Sequence, residues 1–317
     1  MTNPAGLFLS AYISAPTDPV DEDAFYDAAA RLDIDGLEFA LFPSGARTLE
    51  LDWIREHVNP GHDLIVSLVP SMMAALGSTP NYGLASTDDV QRKRALSDVG
   101  RACDLAVSLA AEYGTRRVVA IEIHTSPGPR GGSLEAFERS LAEILTWDRA
   151  GAELLVEHCD AYVPGQTPAK GFFPLADEIA VVRSFGLPTD VLGMSLNWGR
   201  CAIEGHGSRL PMEHIQAVTD AGLLRAYIYS GATGEDTVWG PAWTDMHIPS
   251  RGDAPALAAS AASLLGPDEI AETLRAIGDT PRIGLKFGIR PLDADVATRL
   301  AVVEATLAQI VAARAAG

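Results

Sequence analysis

The sequence predicts a single (βα)8 barrel, the TIM-barrel fold, extending over residues 1–317 as one domain. Eight short apolar runs alternate with eight segments of helical periodicity along the chain. Strands that alternate with helices pair in parallel, because each helix carries the chain back to the start of the next strand. No Pro/Gly-rich linker and no change in composition divides the chain, so one closed barrel accounts for the pattern most simply.

The predicted strands are apolar runs of four to eight residues. The first has no basic segment before it and is too short to span a bilayer, so we interpret it as a strand. No stretch reaches the roughly 18 uninterrupted apolar residues that a spanning helix needs, and we expect no membrane association. The strands are expected near residues 7–13, 36–41, 63–69, 117–124, 153–159, 191–197, 224–230 and 282–288.

Helical patterns separate the strands. They lie near residues 21–32, 47–57, 88–113, 133–148, 174–185, 210–221 and 255–277, with a last helix near 293–314. Asp293 is expected to cap the last helix, whose apolar residues recur at intervals of three and four. That stripe, which we expect to pack on the barrel wall, consists of Val296, Leu300, Val303, Leu307 and Ile310.

Two connections, residues 70–87 and 231–255, are longer than usual. Both follow strands, on the face where barrels carry their active sites. A doubly wound open sheet is the structural alternative. It is disfavoured because no Gly-x-Gly-x-x-Gly motif opens a helix after the first strand and no Walker-type lysine loop exists.

Composition excludes some classes of function. The net charge of −18 disfavours nucleic acid as a partner, because a phosphate backbone calls for a basic surface. Three widely spaced cysteines, Cys103, Cys159 and Cys201, fit reduced thiols better than a disulfide framework. We therefore expect a cytoplasmic protein.

Five of the apolar runs bring a polar or charged residue to the end of a strand. Burying charge in a strand is costly unless the charge meets a partner or a substrate, so the repetition indicates a functional site. Lys286 is one of only three lysines among 24 basic residues, and it lies in the last run. The residues singled out in these runs are Glu38, Glu122, His124, Glu157, Asn197 and Lys286.

Structural roles are the competing interpretation of the same residues. Glu157 and Lys286 could form a buried ion pair across the barrel, and Glu38 could pair with Arg47. His158 is expected to point outward, because neighbours on a strand face opposite sides. We take the remaining histidines in helical or loop segments as surface groups; these are His57, His62 and His214.

The order of these residues resembles the xylose isomerase-like barrel superfamily, which contains sugar isomerases and epimerases and the endonuclease IV type of repair enzyme. The resemblance rests on Glu38, on Glu122 and His124, on Glu157-His158, and on the run Leu196-Asn197-Trp-Gly-Arg200. It spans nearly the whole chain in element order. Members of the superfamily usually bind a divalent metal and often pair as dimers, so a homodimer is possible.

The resemblance implies a metal site that has lost most of its ligands. Glu157 matches the strand-five glutamate, but Asn197 stands for the strand-six aspartate and Arg200 for the histidine three residues later. A tyrosine, Tyr227 or Tyr229, stands for the strand-seven histidine, and Lys286 for the strand-eight glutamate. Because these replacements remove negative charge and add positive charge, we expect no metal, with Lys286 in the place of the cation beside Glu157.

An alternative metal site remains. Asp245 and His247, in the connection after strand seven, resemble the Asp-x-His pair with which some members hold an additional zinc. His124 with Glu157 could form another partial site. One divalent metal held by some of His124, Glu157, Asp245 and His247 is therefore the alternative to a cofactor-free protein.

The resemblance favours a sugar isomerase or epimerase that transfers a proton on a small polyhydroxylated carbonyl compound. Glu157 or Glu122 would be the base, with Lys286 and His124 as electrophilic or acid partners. The expected substrate-binding residues are Glu38, Asn197, Arg200, Tyr229, Trp198, Trp243 and His247. Two alternatives stay open: an aldolase-type lyase that forms a Schiff base through Lys286, and a non-catalytic barrel that binds a sugar-like ligand.

Overall fold

Eight parallel strands close into a barrel in chain order, and β8 pairs with β1. The computed structural model describes residues 5–43 and 45–316. The predicted (βα)8 barrel is confirmed. The strands are β1 (Gly6–Leu9), β2 (Gly36–Ala40), β3 (Asp63–Ser67), β4 (Val118–Ile123), β5 (Glu153–His158), β6 (Leu192–Asn197), β7 (Leu224–Tyr229) and β8 (Arg282–Leu285).

Helices follow the strands and cover the outside of the barrel. They are α1 (Ala11–Ser14), α2 (Pro19–Ala29), α3 (Leu51–His57), α4 (Val69–Ser78), α5 (Asp89–Tyr113), α6 (Leu134–Ile144), α7 (Leu175–Ser184), α8 (Trp198–Gly205), α9 (Leu210–Asp220), α10 (Pro267–Ile277) and α11 (Val296–Ala316). The main hydrophobic core lies between these helices and the outer faces of the strands.

Several element boundaries differ from the prediction. The first strand ends at Leu9 and the chain turns at once into α1, while the connection after β3 contains α4. Helix α8 was not predicted, and it places Arg200 on a helix rather than a strand. The helix expected over 255–277 is divided into a 3-10 turn and α10, because the sequence Gly266-Pro267 starts a new helix with proline in its first turn.

The last helix begins later than expected, and Asp293 does not cap it. The Oδ1 atom of Asp295 accepts a hydrogen bond of 2.8 Å from the backbone N–H of Thr298, which is the geometry of an N-cap. The correction amounts to one half-turn of helix. Sequence pattern places helix ends only to within a few residues.

We expect Asp295→Ala to lower the thermal unfolding midpoint by about 2 °C, because the first turn of α11 loses its cap. Asp293→Ala is the matched control and should leave the midpoint unchanged. Calorimetry of both variants measures the difference. An equal effect of the two changes would contradict the assignment of Asp295 as the cap.

Helix α11 is long and apolar enough, by length and composition alone, to cross a membrane. In the structure it packs against α10 and α2. Val303, Leu307 and Ile310 of the predicted stripe are buried in the main core. The apolar character of this helix is therefore used, at least in part, to cover the barrel wall.

The inside of the barrel is arranged in layers. An apolar layer in its middle contains Phe8, Ile65, Ala120, Leu155 and Ala226. At the end where the strands begin, Glu153 forms ion pairs of 2.8 Å with Arg225 and 2.7 Å with Arg282. Because side chains alternate along a strand, Glu122 and Glu157 face inward at the opposite end, two residues beyond Ala120 and Leu155. The apolar layer thus separates a structural ion cluster from the candidate site.

Candidate active site

The mouth of the barrel, at the carboxyl ends of the strands, gathers the polar residues that the sequence predicts. Strand pairing places Ser67 beside Glu122 and Ser195 beside Glu157. Lys286 follows directly after the end of β8, and its side chain is fully buried. The inward-facing polar residues of this end are Glu38, Ser67, Glu122, His124, Glu157, Ser195, Asn197 and Lys286, all buried.

Lys286 forms its ion pair with Glu38, at 2.7 Å between Nζ and Oε1. The hydroxyl of Ser10 donates to the other carboxylate oxygen, and the ammonium lies 5.4 Å from the centre of the Tyr12 ring. Burial alone would lower the pKa of Lys286, but the Glu38 carboxylate and, more weakly, Glu157 raise it well above its usual range. Lys286 is therefore a fixed cation.

This pairing corrects two expectations. Glu38 does not pair with Arg47, which instead forms ion pairs of 2.5 Å with Glu22 and 2.6 Å with Asp23. The direct ion partner of Glu157 is not Lys286, although the ammonium still acts on Glu157 through space. Partner choice depends on where the long side chains reach across the barrel, which strand alternation does not specify.

Glu157 is held by Arg200 and His124. The Nη1 atom of Arg200 contacts Oε1, and the Nε2 atom of His124 lies 2.7 Å from Oε2. Burial opposes ionisation of Glu157, but the charges of Arg200 and Lys286 and the His124 hydrogen bond outweigh it and hold its pKa well below the usual range. Burial lowers the pKa of His124, so the neutral ring donates its Nε2–H to the carboxylate.

A second layer of charge covers the mouth. Asp245, in the segment after β7, contacts the ammonium of Lys170 and lies 3.2 Å from Nε of Arg200. His247 lies 3.3 Å from Asp245 and shares a hydrogen bond of 2.9 Å with Ser230. Lys170 comes from the segment after β5 and was not predicted as a site residue. Together these contacts bind two loops over the barrel axis.

The covering segment has unusual backbone geometry. Trp243 and His247, on either side of Asp245, adopt left-handed φ values of 59° and 53°. Such values are uncommon for residues other than glycine and persist where the surroundings fix them. The ring of Trp243 stacks flat on His206, at 4.6 Å between ring centres. This turn presents Asp245 to the two cations below it.

Two of the predicted substrate-binding aromatics lie outside the site. The hydroxyl of Tyr229 forms hydrogen bonds with Thr273, at 2.9 Å, and with the carbonyl of Ile270, both in α10. The Tyr229 side chain therefore faces the outer helices. This agrees with strand alternation, since the preceding residue, Ile228, faces inward. Trp198 is fully buried and belongs to the main core between barrel and helices. Both side chains therefore lie away from the cluster that faces the barrel axis, because a residue near the end of a strand is not necessarily on its inner face.

Glu122 differs from Glu38 and Glu157 in its hydrogen bonding. Neither of its carboxyl oxygens has a hydrogen-bond partner of normal geometry among the described residues. Burial, followed by the negative charges of Glu157 and Glu38, raises its pKa well above the usual range, whereas Lys286 and the Ser195 hydroxyl oppose the shift. This shift favours the protonated form of the Glu122 carboxyl, which is the form that can donate a hydrogen bond.

Further polar atoms at the mouth are buried without a partner in the parts of the chain that the structure describes. They are the hydroxyls of Ser67 and Ser195, Nδ2 of Asn197 and Nη2 of Arg200. Asn197 uses its Oδ1 to accept a bond of 3.3 Å from the backbone N–H of Arg200, which starts α8 and leaves the amide Nδ2 to point elsewhere. Buried polar groups without partners are costly, and they are expected where a ligand supplies the missing bonds.

The donor set at the mouth does not fit the superfamily's divalent metal. His124, Glu157 and Cys159 offer three donor atoms within 4.8 Å of one another. The guanidinium of Arg200, however, already contacts Glu157, and burial raises the pKa of the Cys159 thiol. The alternative pair is likewise occupied. Asp245 pairs with Lys170 and Arg200, and Nδ1 of His247 shares a hydrogen bond with Ser230. Arg200 and Lys170 already neutralise the carboxylates that a divalent ion would need as ligands.

The expectations for the other histidines are partly wrong. His158 points outward as predicted, and its Nδ1 lies 2.6 Å from Glu178 of α7. His62 and His214 are buried rather than on the surface, with 5% and 7% of their area exposed. His57 accepts or donates a hydrogen bond of 2.9 Å with Asp27.

The closed barrel, with charged residues at its mouth, has the fold of solved xylose isomerase-like and epimerase structures, as the sequence resemblance predicts. The fold matches a putative xylose isomerase from Rhodospirillum rubrum, with a TM-score of 0.62, 13% identity, and coverage of 97% of this chain and 98% of that one. It also matches D-psicose 3-epimerase with D-tagatose from Clostridium cellulolyticum, with a TM-score of 0.56, 15% identity, and 98% coverage of both chains.

The chain belongs to the DUF4862 family, described as a domain of unknown function, whose sequence model matches residues 8–302. It is also 32% identical over 262 residues to an uncharacterized protein of Salmonella typhimurium strain LT2. That alignment covers 78% of this chain and 80% of the relative.

Proposed function

We propose that the protein is a sugar isomerase or epimerase-like enzyme that moves a proton on a small polyhydroxylated carbonyl compound without the superfamily's metal. One observation carries the proposal. The pKa values of two inward-facing carboxyl groups, Glu157 and Glu122, are shifted in opposite directions beside a set of buried polar atoms without partners among the described residues. Pairs of carboxyl groups whose environments separate their pKa values are the usual acid and base of proton-transfer enzymes.

In this mechanism Glu157 removes a proton from the carbon next to the substrate carbonyl. The electron pair left on that carbon moves into the carbonyl, and the enediolate oxygen that forms is stabilised by the ammonium of Lys286. Glu122 then donates its proton to the opposite face of the same carbon, which restores the carbonyl and yields the epimer. Donation to the former carbonyl carbon, with transfer of the neighbouring hydroxyl proton to the enediolate oxygen, would yield the isomer. One proton then passes from Glu157 to Glu122 to restore the starting state. His124 orients Glu157 through its hydrogen bond, and Asn197 and Arg200 bind substrate hydroxyls.

The cover over the mouth must open for this reaction. The contacts of Asp245 with Lys170 and Arg200 join two loops across the barrel axis. A substrate whose hydroxyl or phosphate groups bind these cations would replace Asp245 and release the segment after β7. In this proposal His247 and Trp243 contribute to binding when the covering segment closes again over the bound substrate, and Glu38 contributes from the barrel wall.

The aldolase-type alternative is disfavoured by the state of Lys286. A Schiff base requires a neutral amine, and the Glu38 carboxylate keeps this lysine protonated. Borohydride trapping with candidate aldehydes or ketones separates the two mechanisms, since a covalent adduct at Lys286 would support the lyase.

A non-catalytic, ligand-binding barrel is the remaining alternative. The cytoplasmic location and a homodimer stay predictions.

The test is deuterium exchange. Chelator-treated protein is incubated in D2O with a panel of ketopentoses, ketohexoses and their phosphates, and the carbon next to the carbonyl is followed by NMR. We expect catalysed incorporation of deuterium into at least one compound, at the same rate with and without chelator. Exchange that requires added Mn²⁺ or Co²⁺ would contradict the metal-free mechanism. No exchange together with saturable sugar binding would support the non-catalytic alternative.

A further inference from the structure

A second cluster of ionisable residues lies outside the barrel, between β5 and helices α7, α8 and α9. It contains His158 from β5, Glu178 from α7, Glu204 from α8 and His214 from α9. Nε2 of His158 lies 3.1 Å from Oε2 of Glu204, and Nε2 of His214 lies 3.7 Å from Oε1 of the same carboxylate. The proposed reaction uses none of these residues.

The spacing of these donors suits a tetrahedral metal. Zinc binds histidine nitrogen and carboxylate oxygen at about 2.0–2.2 Å, so two ligands of one ion lie about 3.3 Å apart. Donor atoms of His158, Glu204 and His214 lie within 4.8 Å of one another, and the two closest pairs fall at 3.1 Å and 3.7 Å. Small side-chain movements would bring all three into bonding distance, and water would complete the fourth position.

The hydrogen bonds around His158 match those of a metal-bound histidine. Such a histidine donates its second ring N–H to a carboxylate, which fixes the orientation of the ring. Here Nδ1 of His158 lies 2.6 Å from Glu178, which itself accepts a bond of 2.5 Å from Thr125. Glu204 is held in turn by a bond of 2.8 Å from the backbone N–H of Ala161. Two ligands are therefore oriented before any ion binds.

His214 supplies the independent observation. Its side chain is more than nine-tenths buried, yet neither ring nitrogen forms a hydrogen bond with a residue in the described ranges, and Nδ1 is fully enclosed without a partner. Its ring packs edge to face on His158, at 4.9 Å between centres. A neutral imidazole held beside a carboxylate without a bond is a ready metal ligand.

Charge also favours a dication here, in contrast to the mouth. No lysine or arginine forms an ion pair with Glu178 or Glu204 among the described residues. In the described part of the chain Glu178 and Glu204 form ion pairs only with histidines, and a divalent ion that displaces a histidine proton can take its place beside Glu204. The Glu204 side chain is 13% exposed, so an ion can reach it from solvent.

We propose that His158, Glu204 and His214 form a divalent-metal site, best suited to zinc, that ties β5 to helices α8 and α9 outside the barrel. Without metal, His158 lies between two carboxylates, with Nδ1 2.6 Å from Glu178 and Nε2 3.1 Å from Glu204, so a proton on Nε2 occupies the position where the ion would bind. Metal binding replaces that proton and releases it to solvent.

The test measures Zn²⁺ binding to chelator-stripped, full-length protein by calorimetry, and Co²⁺ binding by visible absorption. We expect one saturable equivalent. Glu204→Gln and His214→Gln should remove binding, and Glu178→Gln should weaken it about 10–100-fold by loosening His158. His57→Gln is the matched control, since His57 lies on α3 far along the chain, and it should bind as the wild type does.

Three results would overturn the site. Loss of the bound equivalent in Glu157→Gln, with retention in His214→Gln, would place the ion at the barrel mouth. X-ray absorption of the zinc-loaded wild type requires no variant to fold: we expect two imidazole ligands and oxygen, and a sulfur ligand would instead implicate Cys159. Absence of any saturable equivalent would show that the cluster is a structural hydrogen-bond network. None of these outcomes depends on the proposed proton-transfer activity.

Discussion

Lys286→Met is expected to lower the free energy of unfolding by about 3–5 kcal/mol, because it leaves the buried carboxylate of Glu38 without its cation. The pair joins the second and last strands of the barrel through a contact of 2.7 Å, and both side chains are almost completely enclosed. Urea denaturation followed by circular dichroism at neutral pH measures the loss.

The double variant Glu38→Gln/Lys286→Met should recover most of that stability, since removing both charges of a buried pair costs far less than removing one. Arg47→Met is the control for an ion pair at the edge of the barrel. Its partners Glu22 and Asp23 are partly exposed, and we expect a loss of less than about 1 kcal/mol. Equal losses for Lys286→Met and Arg47→Met would show that the buried pair has no special role.

Glu157→Gln and Glu122→Gln are each expected to lower turnover about 10²–10⁴-fold, because each removes one proton-transferring group. Glu122→Gln is the cleaner test. An amide has nearly the shape of the protonated carboxyl and can donate a hydrogen bond, so sugar binding and stability should change little while the chemical step fails. Steady-state kinetics on a substrate found by deuterium exchange would separate a loss of kcat from a change in KM.

Tyr229→Phe is the matched control for these variants. Its hydroxyl bonds to Thr273 in α10, outside the barrel, so turnover should be unchanged while stability falls by about 1 kcal/mol. Wild-type turnover by Glu122→Gln would remove Glu122 from the mechanism. A comparable loss of turnover in Tyr229→Phe would return that tyrosine to the site.

Strand alternation predicts correctly which residues face the axis. Glu122 and His124 share the inner face, and His158 points to the helices, because consecutive side chains on a strand lie on opposite sides. The same rule, applied from a known inward residue such as Ala226, also predicts the outward position of Tyr229. The superfamily resemblance instead assigns that tyrosine to a metal-ligand position, which strand alternation alone would not have predicted.

Sequence pattern does not predict which charges pair. Lys286 contacts Glu38 rather than Glu157, and Glu157 contacts Arg200, because each long side chain reaches the carboxylate that its own backbone position and rotamer allow. Lys170 enters the site only through a loop that closes over the mouth. Residues contributed by loops carry no periodicity from which their direction could be read.

The amino-acid sequence by itself determines the barrel and the polar character of its mouth, since both follow from local periodicity and from charges placed in apolar strands. Tertiary structure alone decides the electrostatic network: the fixed cations on Glu38 and Glu157, the raised pKa of Glu122, and the outer cluster around His214. The physical reason is distance along the chain. Lys286 and Glu38 are separated by 248 positions in sequence but by 2.7 Å in the folded barrel, and only closure of the barrel brings them together.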